Sequence, residues 1–170
     1  MRRRLIFAVP LVGIIGAASA QTWTEYKTDD GRFKVQMPGM PAIQNSSTPM
    51  GANESAPTVE ATVRTPAAAY QLIVITYPRK VAMAASANVI LDHFRNNLTA
   101  GHTYKNERPL TVGRAPGREF LMVENNGRNT AVRMFWSRGR LYGLMVVGTA
   151  GIDGKPETRK FLDSFEVVPV

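Results

Sequence analysis

Two glycine turns in the second half of the chain constrain its fold more than any other feature. Asn126-Gly127 and Arg138-Gly139 separate three apolar segments, residues 118–124, 129–137 and 140–147. A pair of residues that ends in glycine is typical of the two-residue turns that join antiparallel strands. The pattern predicts a three-stranded meander in which Glu124 lies opposite Asn129, and the two turns fix its register.

The predicted register assigns the side chains of the meander to two faces, both largely apolar. On one face Arg118 shares a row with Phe135 and Tyr142, and Arg133 lies beside Phe120. Arginine can pack its aliphatic stem on an apolar surface and place its guanidinium group over an aromatic ring. We therefore expect Arg118 and Arg133 to be structural residues.

The opposite face of the predicted meander holds one charged residue, Glu119, in an otherwise apolar row. A buried carboxylate is costly unless it is paired or accepts hydrogen bonds. We expect Glu119 to be paired with a basic residue or with backbone donors.

The same register brings four arginines to one end of the sheet and places Arg128 at the other. The four are Arg114, Arg118, Arg138 and Arg140. Such a cluster can bind an anion, for which a phospholipid headgroup, a cell-wall polymer and an acidic envelope protein are the alternatives. Turn arginines that are only solvated are the other interpretation.

The N-terminal segment predicts export. Arg2 to Arg4 are followed by a short apolar run and by Ala18-Ser19-Ala20, a pattern typical of a secretory signal peptide cleaved before Gln21. We expect residues 1–20 to be a signal peptide, residues 21–170 to form one domain, and the protein to be periplasmic or secreted without a transmembrane anchor after cleavage. The arginines fit the general secretory and the twin-arginine routes equally, so the route stays open. Cleavage removes three positive charges from a chain whose formal charge is +8.

The rest of the chain predicts further strands and two helices. Strands are expected at residues 23–27, 32–37, 58–64, 70–77 and 104–112, and amphipathic helices at 86–98 and 156–165. The segment 38–57 is rich in Pro, Gly, Ser, Asn and Ala and predicts a long loop, with a short strand near Ile43 as an option.

Little in the sequence points to catalysis. The chain contains no cysteine, which excludes disulfides, thiol chemistry and cysteine-bound metals, and it has two histidines, His93 and His102. Nucleophile-elbow, phosphate-loop and zinc-protease motifs are absent from the sequence. We expect no enzyme activity, no cofactor, no metal site, and no nucleic acid as partner.

Several short segments resemble a group of exported bacterial proteins of unknown function. They are residues 30–35 (DGRFKV), 37–39 (MPG), 115–120 (APGREF), 138–142 (RGRLY) and 160–165 (KFLDSF). That group is similar in outline to the PsbP/Mog1-like fold, an antiparallel sheet between helical layers. The resemblance implies an α+β fold, a PsbP/Mog1-like α/β/α sandwich with helices on both faces of a single mainly antiparallel sheet, and it favours binding or assembly over catalysis.

Together these features predict an exported, non-catalytic binding or assembly module of the bacterial envelope. The alternative is a small-ligand-binding protein or a hydrolase with a site between the 38–57 loop and the sheet. A pocket with converging titratable groups would favour the alternative, and a shallow basic rim would favour the binding module.

Overall fold

The computed structural model describes residues 22–28, 30–51 and 54–168. The predicted signal peptide lies outside these residues. The helices and strands, in chain order, are β1 (Thr24–Lys27), β2 (Phe33–Met37), β3 (Ala42–Pro49), β4 (Ser55–Arg64), β5 (Ala69–Thr76), α1 (Arg79–Ala84), α2 (Ala87–Leu98), β6 (Thr103–Val112), β7 (Ala115–Val123), β8 (Arg128–Ser137), β9 (Arg140–Thr149), α3 (Pro156–Asp163) and β10 (Glu166–Val167).

Seven strands form a fully antiparallel sheet in the order β3-β4-β5-β9-β8-β7-β6. Residues 141–146 of the central strand β9 are all buried, because both faces of this strand are covered. A smaller sheet, β1-β2-β10, packs on one side of the large one. The fold is therefore α+β and mainly antiparallel as predicted, but it contains two sheets, so the single-sheet description was wrong.

Two layers cover the large sheet. On one face, β2 contributes Phe33 and α3 contributes Phe161 to a core that includes Tyr142 of the sheet. Phe165, which follows α3, belongs to the same core. On the other face α2 contributes Ile90 and Leu91, which pack against residues such as Val132 and Met134. The small sheet provides part of the cover that the prediction assigned to helices alone.

Local sequence explains where the helices begin. The Ser86 hydroxyl accepts a hydrogen bond from the Val89 backbone N–H at 3.4 Å and caps α2, as the sequence predicted. Pro156 occupies the first turn of α3, where its missing N–H costs no hydrogen bond.

The prediction of a long loop at residues 38–57 was wrong. Residues 42–49 and 55–57 are strands of the large sheet, and β3 and β4 pair along their whole length from Ala42 opposite Thr62 to Pro49 opposite Ser55. Ser, Thr and Asn in this segment form a polar edge strand, so composition alone indicated a loop. Most of the residues that the alternative site assigned to a loop therefore belong to β3 and β4.

The register of the meander was predicted correctly at one turn and wrongly at the other. Arg138-Gly139 is a two-residue turn, and Ser137 lies opposite Arg140. The earlier turn has three residues, because Glu124 donates its backbone N–H to Arg128 and Gly127 adopts the left-handed φ of 80° that ends such a loop. This shift of one residue moves every side chain of β7 to the opposite face from the predicted one.

Candidate basic binding surface

The turn between β8 and β9 projects from one end of the large sheet and carries Arg138. Arg138 and Gly139 have φ values of 49° and 77°, so both are in the left-handed region. The Gly139 carbonyl accepts a 2.8 Å hydrogen bond from the backbone N–H of Tyr77, which attaches the turn to the residue that follows β5. The chain thereby brings α1 close to this turn.

Two clefts flank the turn, and Arg138 lines both. The first, of about 690 Å³, has Arg114 from the β6–β7 turn and an apolar wall that includes Trp136 and Val167. The second, of about 500 Å³, is lined by Arg32, Arg79 and Arg140, among others. The residues that line the two clefts include no acidic side chain among those that the structure describes.

We call this surface the basic rim and define it by five arginines: Arg32, Arg79, Arg114, Arg138 and Arg140. Arg32 and Arg79 were missed by the sequence analysis, because Arg32 precedes β2 and Arg79 begins α1, and both are distant in sequence from the meander. The signal that could have found them is topological: both flank the ends of strands that reach the same end of the fold. With Asp30 included, the rim and its neighbour have a net charge of +4.

Asp30 holds two of the rim arginines in place. Its Oδ2 atom accepts a hydrogen bond from the Arg140 guanidinium group at 2.6 Å. The same oxygen lies 3.5 Å from Nε of Arg32. The hydrogen bond from Arg140 is the main reason why the pKa of Asp30 falls from 3.8 to about 2. Asp30 is therefore ionised at neutral pH and orients these arginines while Arg79, Arg114 and Arg138 remain exposed.

The rim also exposes apolar surface. Met83 of α1 lines the second cleft, and 75% of its surface is exposed. Helix α1 buries none of its residues and begins with Arg79 and Lys80. A methionine with cations beside it can enter the boundary between lipid headgroups and acyl chains.

Arg118 is not part of the rim, and this prediction was wrong. The register shift places it opposite Met134, on the face covered by α2 rather than in the row of Phe135. Its side chain is 19% exposed and contacts Asp92 at 2.5 Å and Glu107 at 3.1 Å. Arg118 is thus paired with acidic residues of α2 and β6 rather than placed over the aromatic rings of the predicted row.

Glu119 has the basic partners that its predicted burial required. The register places Arg133 directly opposite, and the Arg133 Nε–H donates to the Glu119 carboxylate. Arg108 donates at 2.7 Å and Arg159 lies 3.4 Å away, while Arg133 also reaches Asp163 at 2.6 Å. Arg133 therefore connects the sheet to α3 through charges, and it does not stack on Phe120 as predicted.

A small cleft of about 270 Å³ opens beside Glu119 and includes Asp153 and Arg159. Burial would raise the pKa of Glu119, but hydrogen bonds from Arg108 and Arg133 outweigh burial and lower it from 4.5 to about 2. A carboxylate with this pKa holds no proton to donate at neutral pH and is a weak base. Glu119 is therefore ionised at neutral pH and serves as the acceptor for the arginines around it.

His93, one of the two histidines of the chain, and its neighbour Asp92 contact different partners. His93 contacts Asn97 at 3.0 Å, while Asp92 contacts Arg95 at 3.2 Å. Within residues 22–28, 30–51 and 54–168, no group of three His, Asp or Glu side chains is placed to hold a metal ion.

Comparison with known proteins identifies the fold. The chain is similar to the solution structure of cyanobacterial PsbP (CyanoP) from Synechocystis sp., with a TM-score of 0.57 and 12% identity over 92% of this chain and 99% of that one. A crystal structure of a Pseudomonas aeruginosa protein of unknown function gives a TM-score of 0.38 and 11% identity over 78% of this chain and 86% of that one. The protein thus has a PsbP-like fold. No family model and no curated protein matches the sequence.

Proposed function

We propose that this protein is an exported, non-catalytic binding module of the bacterial envelope, and that its basic rim contacts an anionic lipid surface. The observation that carries the proposal is the convergence of five arginines from four separate segments on two adjoining clefts. The N-terminal signal-like sequence supports export. None of the helices among the described residues is both long and apolar enough to cross a membrane.

The backbone at Arg138 supports a binding role for its side chain. Glycine and asparagine are favoured at a left-handed turn position, where an ordinary residue costs about 1–2 kcal/mol. Such strain is found where a side chain serves a function. An arginine at this position, aimed between two clefts, fits selection for its charge.

The exposed Met83 favours a lipid surface over a soluble polyanion. A basic residue near an anionic membrane contributes about 1 kcal/mol, and an apolar side chain that enters the interface adds to that attraction. A soluble acidic polymer would use the charges of the rim and leave Met83 in water.

Vesicle binding tests the proposal. We expect purified protein to bind phosphatidylglycerol vesicles at low salt, to release them as ionic strength rises, and to bind pure phosphatidylcholine vesicles weakly. Replacing both Arg114 and Arg138 with Glu should weaken binding at least about thirtyfold, because two favourable contributions of about 1 kcal/mol are lost. The matched control replaces Arg64 and Arg128, two exposed arginines at the opposite end of the sheet, with Glu.

The outcomes separate the possible ligands. Equal loss of binding in the rim variant and in the control would show that net charge alone attracts the protein and would contradict the proposal. Binding to soluble polyglutamate in preference to vesicles would identify an acidic polymer or protein as the partner. Reduced vesicle binding by Met83→Ser, with unchanged polyglutamate binding, would support the lipid surface.

A further inference from the structure

The two edges of the large sheet differ in how they are protected against pairing with another chain. Edge strand β6 carries charges, a proline and a bulge, devices that natural proteins use to block edge pairing. The charged residues and proline are Lys105, Glu107, Arg108 and Pro109. Its register shifts between Lys105 and Arg108, where Asn106 has a left-handed φ of 59°.

Edge strand β3 has none of these devices between Ala42 and Thr48, and its proline, Pro49, is its last residue. Residues 42–48 are uncharged and contain no proline, and β3 pairs with β4 without a register shift. Seven of its eight residues are exposed, and Ile43 is 48% exposed. The outer edge of β3 is therefore a straight, neutral strand that another strand can join.

From this contrast we infer that β3 pairs antiparallel with β3 of a second copy of this chain, joining two seven-stranded sheets into one. A strand without charges can lie beside its own copy because no like charges come to face each other. The pairing would cover Ile43. This inference concerns the β3 edge rather than the arginines of the basic rim, and it does not depend on the proposed function.

The positions of two prolines specify the register of the pair. A twofold axis perpendicular to the sheet keeps equivalent faces together. The axis must therefore lie midway between the two copies of one residue, so that this residue faces its own copy. Proline has no N–H for a ladder and belongs at strand ends. Pro41 and Pro49 are equidistant from Asn45. Pairing centred on Asn45 leaves both prolines at the ends of the paired segment and places the two Asn45 side chains opposite each other.

Single cysteines test this geometry cleanly because the chain has none of its own. Across the proposed axis, the Cα atoms of the two residues at position 45 are about 4.5–5.5 Å apart, which a disulfide can bridge. The two residues at position 46 are about 8 Å apart, from one strand spacing and two residue rises, which is too far. We expect Asn45→Cys to form a disulfide-linked dimer under mild oxidation, and Ser46→Cys to form far less.

Sedimentation velocity over a range of concentrations tests the pairing without crosslinking. We expect the protein to form a dimer as its concentration rises, and Asn45→Lys to shift it to monomer because two ammonium groups would face each other. Thr111→Lys, which adds the same charge on the exposed edge strand β6, should dimerise like the unmodified protein.

Four results would overturn the inference. They are a protein that stays monomeric at every concentration, an Asn45→Lys variant that still dimerises, a Ser46→Cys variant that crosslinks as readily as Asn45→Cys, and an Asn45→Cys variant that crosslinks in envelope extract to a different polypeptide and never to itself. The last result would identify a foreign strand as the occupant of the β3 edge.

Discussion

At the scale of single residues, Glu119 shows how the sequence and the structure relate. Its position in an apolar pattern predicted that it needs a partner, and the structure supplies Arg108, Arg133 and Arg159. The need for a partner could be predicted because burying an unpaired charge is costly. Which residues meet that need could not, since Arg108 and Arg159 reach Glu119 from β6 and α3.

Glu119→Gln should lower the free energy of unfolding by about 2 kcal/mol, because it removes the charged acceptor that Arg108, Arg133 and Arg159 share. For a domain of this size we expect the melting temperature to fall by about 6 °C. Thermal unfolding followed by circular dichroism measures the change. Glu25→Gln, on exposed β1, is the control and should melt like the unmodified protein; equal melting of both variants would contradict a stabilising role for the Glu119 cluster.

Gly117 lies at a close approach between β7 and β8. A Cβ at this position would press on the Met134 carbonyl oxygen and lie 2.5 Å from the Phe135 ring. Gly117→Ala should therefore destabilise the protein by about 3 kcal/mol, measured by urea unfolding. Gly154→Ala is the matched control, because a Cβ there meets nothing within 4 Å and should leave the midpoint unchanged.

At the scale of elements, the two turns of the meander separate what could be predicted from what could not. Arg138-Gly139 forms the expected two-residue turn, and the sequence located all three strands of the meander. The Asn126-Gly127 dipeptide fits a two-residue turn and also the end of a three-residue loop, with the same glycine at positive φ. Local sequence does not decide between the two loop lengths. Because the loop has three residues, Arg118 lies on the face opposite to the predicted one.

Arg138→Asn should stabilise the β8–β9 turn and weaken vesicle binding at the same time. Asparagine accepts the left-handed conformation more readily than arginine, so the free energy of unfolding should rise by about 1 kcal/mol. Arg114→Asn removes the same charge at a residue whose φ is not left-handed, and it should weaken vesicle binding without raising stability. A loss of stability in Arg138→Asn would show that contacts of the arginine outweigh its backbone strain.

At the scale of the whole molecule, the α+β class, the antiparallel order of the meander and the apolar stripe of α2 were predictable from periodicity. The second sheet was not predictable from the sequence. Its strand β10 has only two residues and pairs with β2, more than 100 residues earlier in the chain. The basic rim was predictable only where its arginines are close together in sequence. Arg138 and Arg114 lie in turns of the meander region, whereas Arg32 and Arg79 reach the rim only through tertiary folding.

Paired carboxylates should set the response of the whole fold to acid. The pKa values of Asp30 and Glu119 lie at about 2, below their ordinary values of 3.8 and 4.5, and paired arginines also lower the pKa of Glu107. Groups with a depressed pKa stabilise the folded state above their ordinary values, and this stability is lost as pH falls toward 2. Urea midpoints should therefore decline between about pH 4.5 and 2. In Glu119→Gln the decline should be shallower, and an equal slope in both proteins would assign acid sensitivity to other groups.

The pairing of β10 with β2 also governs when the protein can finish folding. Glu166 lies opposite Lys34, and the Ser164 hydroxyl accepts a hydrogen bond from the Gln36 backbone N–H across a sequence separation of 128 residues. Because the ribosome synthesises β2 well before β10, the small sheet can close only after β10 has emerged. Until then the apolar side of β2, which carries Phe33 and Val35, lacks one of the strands that hold it against the large sheet.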